Sequence, residues 1–295
     1  MMWLVGAGYW GSKIKETLEK LGVASRVIDI KHGQTIDDIT DTNPVILATP
    51  LWEHHKQVIT LLDRGHDVYV EKPMATTLAE IEDIRSYVKP DQLLMVGHIF
   101  IHHPQMEQIK NLLASRAIGD ITHVNSRRMN WGIYQTRTTP TLSLATHDIS
   151  IVLELLGDDC RVSNSNFLNL TNNPGSYDRV YFTGRVGAAT FDIDVSWAWP
   201  QRVRQTMIMG TNGQIIWDQD NNTITLVSNG IVNNRAVEGH ARVYNYHDPL
   251  SPLEHELKHW ITCVKERRQP STGIDSAAAV ARVIDQIDNA DQKSF

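Results

Sequence analysis

The chain has 295 residues, enough for about two domains at roughly 150 residues each. Lys and Arg number 28 against 34 Asp and Glu, a formal charge of −6 with no long basic run, which argues against nucleic acid as the main partner. No apolar stretch reaches about 18 residues, so no transmembrane helix is expected, and the two distant cysteines, Cys160 and Cys263, read as buried free thiols in a reducing cytoplasm.

Met2 to Val5 is a short apolar run that fits a buried strand. It lacks the basic region of a signal peptide and is broken at once by glycines. Gly6, Gly8 and Gly11 follow as G-x-G-x-x-G, with Tyr9 and Trp10 between the last two. Ser12 to Leu21 reads as a helix with Ile14, Leu18 and Leu21 on one face. A strand, a glycine turn and a helix N-terminus make an anion site, because backbone N–H groups converge there and the helix dipole favours a phosphate. Arg26 to Ile30 is a second strand, and its Asp29 lies 18 positions past Gly11, close to the spacing of roughly 20 for a carboxylate on an adenosine ribose. A carboxylate there repels a 2′-phosphate, so NAD is favoured over NADP, although Lys31 softens the preference.

Val45 to Ala48 is the next strand, ended by Thr49-Pro50; Trp52 to Arg64 is a helix with Gly65 at its C-terminus. Asp67 to Val70 is a strand, and Pro73 breaks the chain after it. Thr77 with Glu80 forms a capping box for a helix through Val88, and Leu93 to Val96 is a further strand. Short apolar strands alternating with helices imply an α/β domain with a doubly wound parallel sheet. Ligands of such sheets lie beyond the carboxyl ends of the strands, where Gly6, Asp29, Thr49, Lys72 and Gly97 all fall.

After Gly97 the texture changes. Pro104 to Ser115 and Thr146 to Leu156 read as helices, and Ile121 to Met129, Arg161 to Leu170, Arg179 to Arg185, Ala188 to Trp197 and Val203 to Met209 as strands. Thr211-Asn212-Gly213 is a hairpin turn into Ile215 to Trp217, and Thr223 to Val227 continues the pattern. Ser228 to Asp248 is polar and aperiodic and reads as a long loop; Leu253 to Lys265 and Ile274 to Ile287 are closing helices. Two domains are expected: 1–118, and an α+β domain over 119–295 with a mostly antiparallel open sheet, the terminal helix being free to pack back on the first.

Ala48-Thr49-Pro50 with His54 four positions on, Val70-Glu71-Lys72-Pro73, Val96-Gly97-His98 and Thr146-His147-Asp148-Ile149-Ser150 closing on Leu155-Leu156-Gly157 together carry a likeness. They resemble the glucose–fructose oxidoreductase / inositol dehydrogenase / MocA-like (Gfo/Idh/MocA) family over nearly the full chain. The resemblance implies an NAD(P)-dependent oxidoreductase with a Rossmann domain and a substrate domain, acting on a ring hydroxyl of a sugar, nucleotide sugar or cyclitol. It implies a homodimer or homotetramer through the open sheet, and a cis Lys72–Pro73 bond. Gly6, Gly8, Tyr9, Trp10, Gly11 and Asp29 would hold the cofactor, and Thr49, Pro50, His54, Glu71 and Lys72 its nicotinamide half.

The chemistry can be argued from the residues as well. Oxidising a secondary alcohol needs a base for the hydroxyl proton, titrating near the working pH. Lys72, with an ordinary pKa near 10.4, would be lowered by burial beside a cationic ring, and the resemblance gives it the substrate hydroxyl. His147, near 6.5 unperturbed, is the second candidate; Asp148 would cap its helix or bind a substrate hydroxyl. His98, Asn130 and Arg137 are expected on the substrate side. One departure stands out: the family usually has an aspartate four residues before this histidine, and here Ser143 occupies that position. Either Lys72 and His147 suffice, or the protein is a cofactor-holding sensor or scaffold. His255-Glu256-Leu257-Lys258-His259 matches the H-E-x-x-H zinc motif, but Leu253, Leu257 and Ile261 give that segment its own apolar stripe and no clear third ligand follows. A metallopeptidase is therefore ranked last and no metal site is assigned.

Overall fold

The computed structural model describes residues 1–132, 134–135, 137–172, 177–232 and 235–291. The chain divides into two compact units, Met1–His103 with Leu250–Arg282, and Pro104–Pro249 with Val283–Phe295. The expected single cut at 118 is thus replaced by one before Pro104, and Leu250–Arg282 returns to the first unit.

The first unit holds strands β1 (Met2–Val5), β2 (Ser25–Ile28), β3 (Val45–Leu47), β4 (Val68–Glu71) and β5 (Leu94–Gly97). Among the described residues they form a sheet in the order β2-β1-β3-β4-β5, with every pairing parallel. Helices α1 (Tyr9–Lys20), α2 (Leu51–Asp63) and α3 (Leu78–Tyr87) alternate with the strands, and α3 starts in the Thr77–Glu80 capping box. Gly65 sits just past α2 at φ 88°, a conformation glycine takes without strain.

Successive strand residues face opposite ways, and each face finds its own cover. Trp3, Val5, Val45, Leu47, Val68, Val70, Leu94 and Val96 pack with α2, α3 and the alanines Ala277, Ala278 and Ala281 of α7 (Ile274–Asp291). Met2, Leu4, Ile46, Tyr69 and Met95 pack with Ile14 and Leu18 of α1 and Leu257 and Trp260 of α6 (Pro252–Glu266). Burial on both faces is why these strands read as continuous apolar runs. The edge of β5 is closed by Thr272, whose carbonyl accepts from Val96 N–H at 2.8 Å and whose hydroxyl donates to Val96 O at 2.9 Å.

The second unit contains α4 (Pro104–Ala114), β6 (Ile121–Trp131), a π-helical turn (Thr141–Ala145) that runs into α5 (Thr146–Leu156), β7 (Cys160–Leu168), β8 (Arg179–Val186), β9 (Ala189–Ser196), β10 (Ala198–Gly210), β11 (Gly213–Asp218), β12 (Thr223–Val232) and β13 (Arg235–Asn245). Its sheet, among the described residues, runs β13-β12-β11-β10-β6-β9-β8-β7, antiparallel except for the parallel β6–β9 pair. The expected loop at Ser228 to Asp248 is corrected: apart from 233–234, which lie outside the described residues, most of it forms the β12–β13 hairpin, with Leu226 opposite Arg242. The hairpin is the sheet's edge, and Gly239 to Val243 are exposed, so backbone pairing rather than apolar alternation holds it.

Helix α5 is fastened to the sheet by a buried ion pair. Arg128 Nε donates to Asp148 Oδ2 at 2.7 Å, and the two side chains are 3% and 1% exposed. Ser126 Oγ donates to Asp148 Oδ1 at 2.8 Å. Among the described residues no helix is long and apolar enough to cross a membrane. Asp148→Asn leaves the Arg128 guanidinium buried without its counter-charge, so it should lower stability by about 3–5 kcal/mol in urea unfolding.

Candidate active site

The turn after β1 is shaped by close backbone approaches. Gly6 has φ 96°, and a Cβ on it would lie 2.5 Å from Ala48 O; a Cβ on Gly11 would lie 1.9 Å from Gly6 O. Gly8, the N-cap of α1, is different: a Cβ there meets nothing within 4 Å. The structure therefore presents an open glycine before a helix N-terminus, as a diphosphate requires. The Lys13 ammonium stands 4.7 Å from the centre of the Tyr9 ring, which is itself well exposed. Asp29 follows β2, with its carboxylate accepting from Lys31 N–H at 2.8 Å and Ala7 N–H at 3.1 Å. The Lys31 N–H first, against the cost of burial, holds Asp29 below the usual carboxylate range. An NAD diphosphate and ribose fit these residues.

At the end of β4 stand Glu71 and Lys72. Glu71 is buried, and its Oε1 accepts from the Trp10 indole N–H at 2.6 Å. Tyr69 Oη lies 3.0 Å from the same oxygen and 3.0 Å from Glu256 Oε2. Burial pushes Glu71 upward, opposed by the Trp10 N–H, the Lys72 charge, Tyr69 and the Lys72 backbone N–H. Trp10 thus joins the glycine turn to the Glu-Lys-Pro corner. The Lys72–Pro73 bond is cis, as the resemblance implies. Thr49 donates its hydroxyl to Gln57 Oε1 at 2.6 Å, and Pro50 is exposed at the N-cap of α2.

His54 is corrected from cofactor contact to brace. It is 2% exposed, with Nδ1 2.8 Å from Pro73 O and Nε2 2.9 Å from Thr49 O, so whichever nitrogen carries the ring proton donates it to a backbone carbonyl. It ties the two loops expected around the nicotinamide to each other.

His98 follows β5, is 2% exposed, and has neither ring nitrogen hydrogen-bonded among the described residues. Burial, with the Lys72 charge nearby, pushes it down to about 3; burial, with His259, His98 and His255 nearby, does the same to His102. In the H-E-x-x-H stretch, His259 Nε2 accepts from Ser271 N–H at 3.2 Å and Glu256 turns to Tyr69. Among the described residues no three His, Cys, Asp or Glu side chains converge as metal ligands would.

In the second unit His147 lies in the first turn of α5, reached through the π-helical turn rather than a capped start. Asp148 is corrected: Arg128 and Ser126 occupy both its oxygens and it is fully buried, so it anchors the helix and offers nothing to a substrate. Ser143 Oγ accepts from the Trp197 indole N–H at 3.1 Å. Asn130 is half-buried near the end of β6, and Arg137 is exposed in the following loop. Sequence reasoning missed Tyr69, which lay in a strand run, and met Glu256 only as part of a discounted zinc motif; only the fold brings the two together.

The sequence matches the model of the oxidoreductase family with an NAD-binding Rossmann fold over residues 11–98, and that of the GFO/IDH/MocA C-terminal domain over 106–216. The 2,7-anhydro-N-acetylneuraminate hydratase of Mediterraneibacter gnavus is 23% identical over 250 residues, which are 72% of this chain and 65% of that protein. The inositol 2-dehydrogenase of Rhodococcus jostii is 25% identical over 150 residues, 49% of this chain and 40% of that protein. The chain thus spans less than two thirds of the length of these curated relatives. A levoglucosan dehydrogenase solved with NADH and levoglucosan shares the fold, with a TM-score of 0.85 and 16% identity over 99% of this chain and 96% of that one.

Two outcomes test this geometry. Gly8→Ala should fold normally yet weaken NADH binding, read by fluorescence titration, whereas Gly11→Ala should also lose about 1–3 kcal/mol of stability through overpacking. For the histidines, unfolded imidazoles near 6.5 take up protons before the folded His98 and His102, held at about 3. Their contribution is complete above pH 6.5 and is lost as pH falls toward 3; urea midpoints should drop across that window, less steeply in His102→Gln.

Proposed function

This chain belongs to the Gfo/Idh/MocA oxidoreductases, and from that premise we propose that it interconverts a ring secondary alcohol of a sugar-like molecule and its ketone with NAD(H). The observation that carries the proposal is the Glu71–Lys72 corner at the carboxyl edge of the parallel sheet, tied through Trp10 to the glycine turn of an NAD-binding domain. Gly6, Gly8, Gly11 and Asp29 would hold the dinucleotide, with Tyr9 and Trp10 beside its diphosphate. Thr49, Pro50 and Glu71 would flank the nicotinamide half, with His54 bracing their loops. Bound nicotinamide supplies the hydride acceptor or donor.

The proton is the work of the chain. Lys72 takes it from the substrate hydroxyl during oxidation and returns it during reduction, and His147 shares that task. His98, Asn130, Arg137 and Ser143 are proposed to contact the substrate. A relative named for an inositol and a structural neighbour bound to levoglucosan support a polyhydroxylated ring as the substrate class. The proposal extends to a cytoplasmic protein, in keeping with two buried free thiols, and to a homodimer or homotetramer through the second sheet. The face of that sheet away from α5 carries a polar ladder: Asn125 Nδ2 donates to Asp192 at 2.6 Å and Arg179 pairs with Asp194.

The test is a screen of aldoses, nucleotide sugars and inositols with NAD, followed by NADH formation. With a substrate in hand, Lys72→Met should lower kcat by about 10²–10⁴-fold while NADH affinity changes little. Turnover that survives Lys72→Met overturns the assignment.

A further inference from the structure

The H-E-x-x-H stretch supplies a buried acid that the reaction as described leaves unused. Glu256 is 1% exposed, and its Oε1 has no hydrogen-bond partner among the described residues. Its Oε2 lies 3.0 Å from Tyr69 Oη, and the same phenol oxygen lies 3.0 Å from Glu71 Oε1. Tyr69 is wholly buried. The backbone keeps room for this chain of oxygens: a Cβ on Gly97, paired with Glu71 across β4 and β5, would stand 2.5 Å from Tyr69 Oη and 3.3 Å from Glu71 Oε1.

A phenol has one proton, and two carboxylates claim it. Were both ionised, one contact would set an anion against a lone pair in a buried site, a costly arrangement. One carboxyl must therefore carry a proton. Glu71 has the donors that favour an anion: the Trp10 N–H at 2.6 Å, the Lys72 backbone N–H and the Lys72 charge. Among the described residues Glu256 has none beyond the phenol. A proton on its Oε1 would reach no acceptor, whereas one on Oε2 points at Tyr69.

We propose that Glu256 is held protonated, donates that proton to the Tyr69 oxygen, and so directs the Tyr69 hydroxyl proton onto Glu71, keeping Glu71 the anion beside Lys72; this rests on the reading of Lys72 as the proton-handling residue. Tyr69 and Glu256 are positioning residues, acting through Glu71. Burial first, then the nearby Glu71 charge, pushes Glu256 well above the usual carboxyl range, in agreement. The groups facing this chain are Trp10 of α1, Glu71 of β4 with Lys72 just past its end, and Glu256 of α6; His255 and His259 also lie on α6, and His98 and His102 follow β5. Burial pushes His98 and His102 down to about 3, so they stay uncharged where Glu71, itself raised by burial, titrates; burial lowers His259 as well.

Infrared difference spectroscopy of the full chain at neutral pH tests it. The wild type should show the carbonyl band of one protonated carboxyl; Glu256→Gln should remove it and Tyr69→Phe should move it to higher frequency. No such band, or one that survives Glu256→Gln and vanishes in Glu71→Gln, overturns the proposal. Kinetics give a second arm. Losing the Tyr69 donor lets Glu71 protonate at higher pH, so Tyr69→Phe should move the acid limb of the kcat/KM profile upward, while Glu256→Gln, neutral and of the same shape, keeps that limb in place. An acid limb unmoved in Tyr69→Phe also overturns it. The infrared arm needs no turnover, so a missing band sinks the network alone, and activity that survives Lys72→Met sinks the site reading while leaving the band.

Discussion

The first unit depends on two places where backbone meets backbone without a side chain between. Gly11 rests against the carbonyl of Gly6, and Gly6 against that of Ala48, at separations that any Cβ would violate. These contacts set the start of α1 down on the ends of β1 and β3. With the helix seated there, its second residue, Trp10, reaches across to Glu71 at 2.6 Å. One local constraint thereby opens the anion site at Gly8 and delivers a donor to the buried acid beside Lys72. The glycines matter as much for what they bring near Lys72 as for the phosphate they leave room for.

A buried carboxylate survives only if donors replace its water. Around Glu71 those donors come from two separate pieces of chain: α1 through Trp10, and β4 with the residue after it through Tyr69 and the Lys72 backbone. The alternation of β4 decides which of them can arrive. Val68 and Val70 turn toward α2 and α3, so Tyr69 turns toward α1 and α6, where Glu256 waits. The strand's two-residue period is thus what converts an apolar run into the stem of a polar chain.

Much of this was legible in the sequence, and the failures have physical causes. G-x-G-x-x-G, the capping box at Thr77, the alternating elements and Glu-Lys-Pro are local signals, each carried by neighbours in the chain. Tyr69 and Glu256 are 187 positions apart, and no local pattern announces their meeting. Asp148 looked available because its partner Arg128 lies on another element, 20 positions away. His54 was placed in the right corner with the wrong role, since only the fold shows two carbonyls at its nitrogens. The rest of the β12–β13 hairpin escaped because stretches such as the exposed Gly239 to Val243 give no apolar period to read.

Ser143 is where sequence and structure bear on each other most sharply. The family's usual aspartate at this position would bring a charge, and a serine brings none. What the position does here is accept the Trp197 indole N–H, within a π-helical turn that leads straight into His147. An acceptor is therefore retained although the charge is gone. The charge that fixes this part of α5 sits instead at Asp148, sealed against Arg128 and one residue from His147. His147 thus follows directly on a helix start that the Asp148–Arg128 pair fastens to the sheet. On the proposed reading, positioning and proton transfer are separate tasks in this unit: the buried ion pair performs the first, and the second is left to His147.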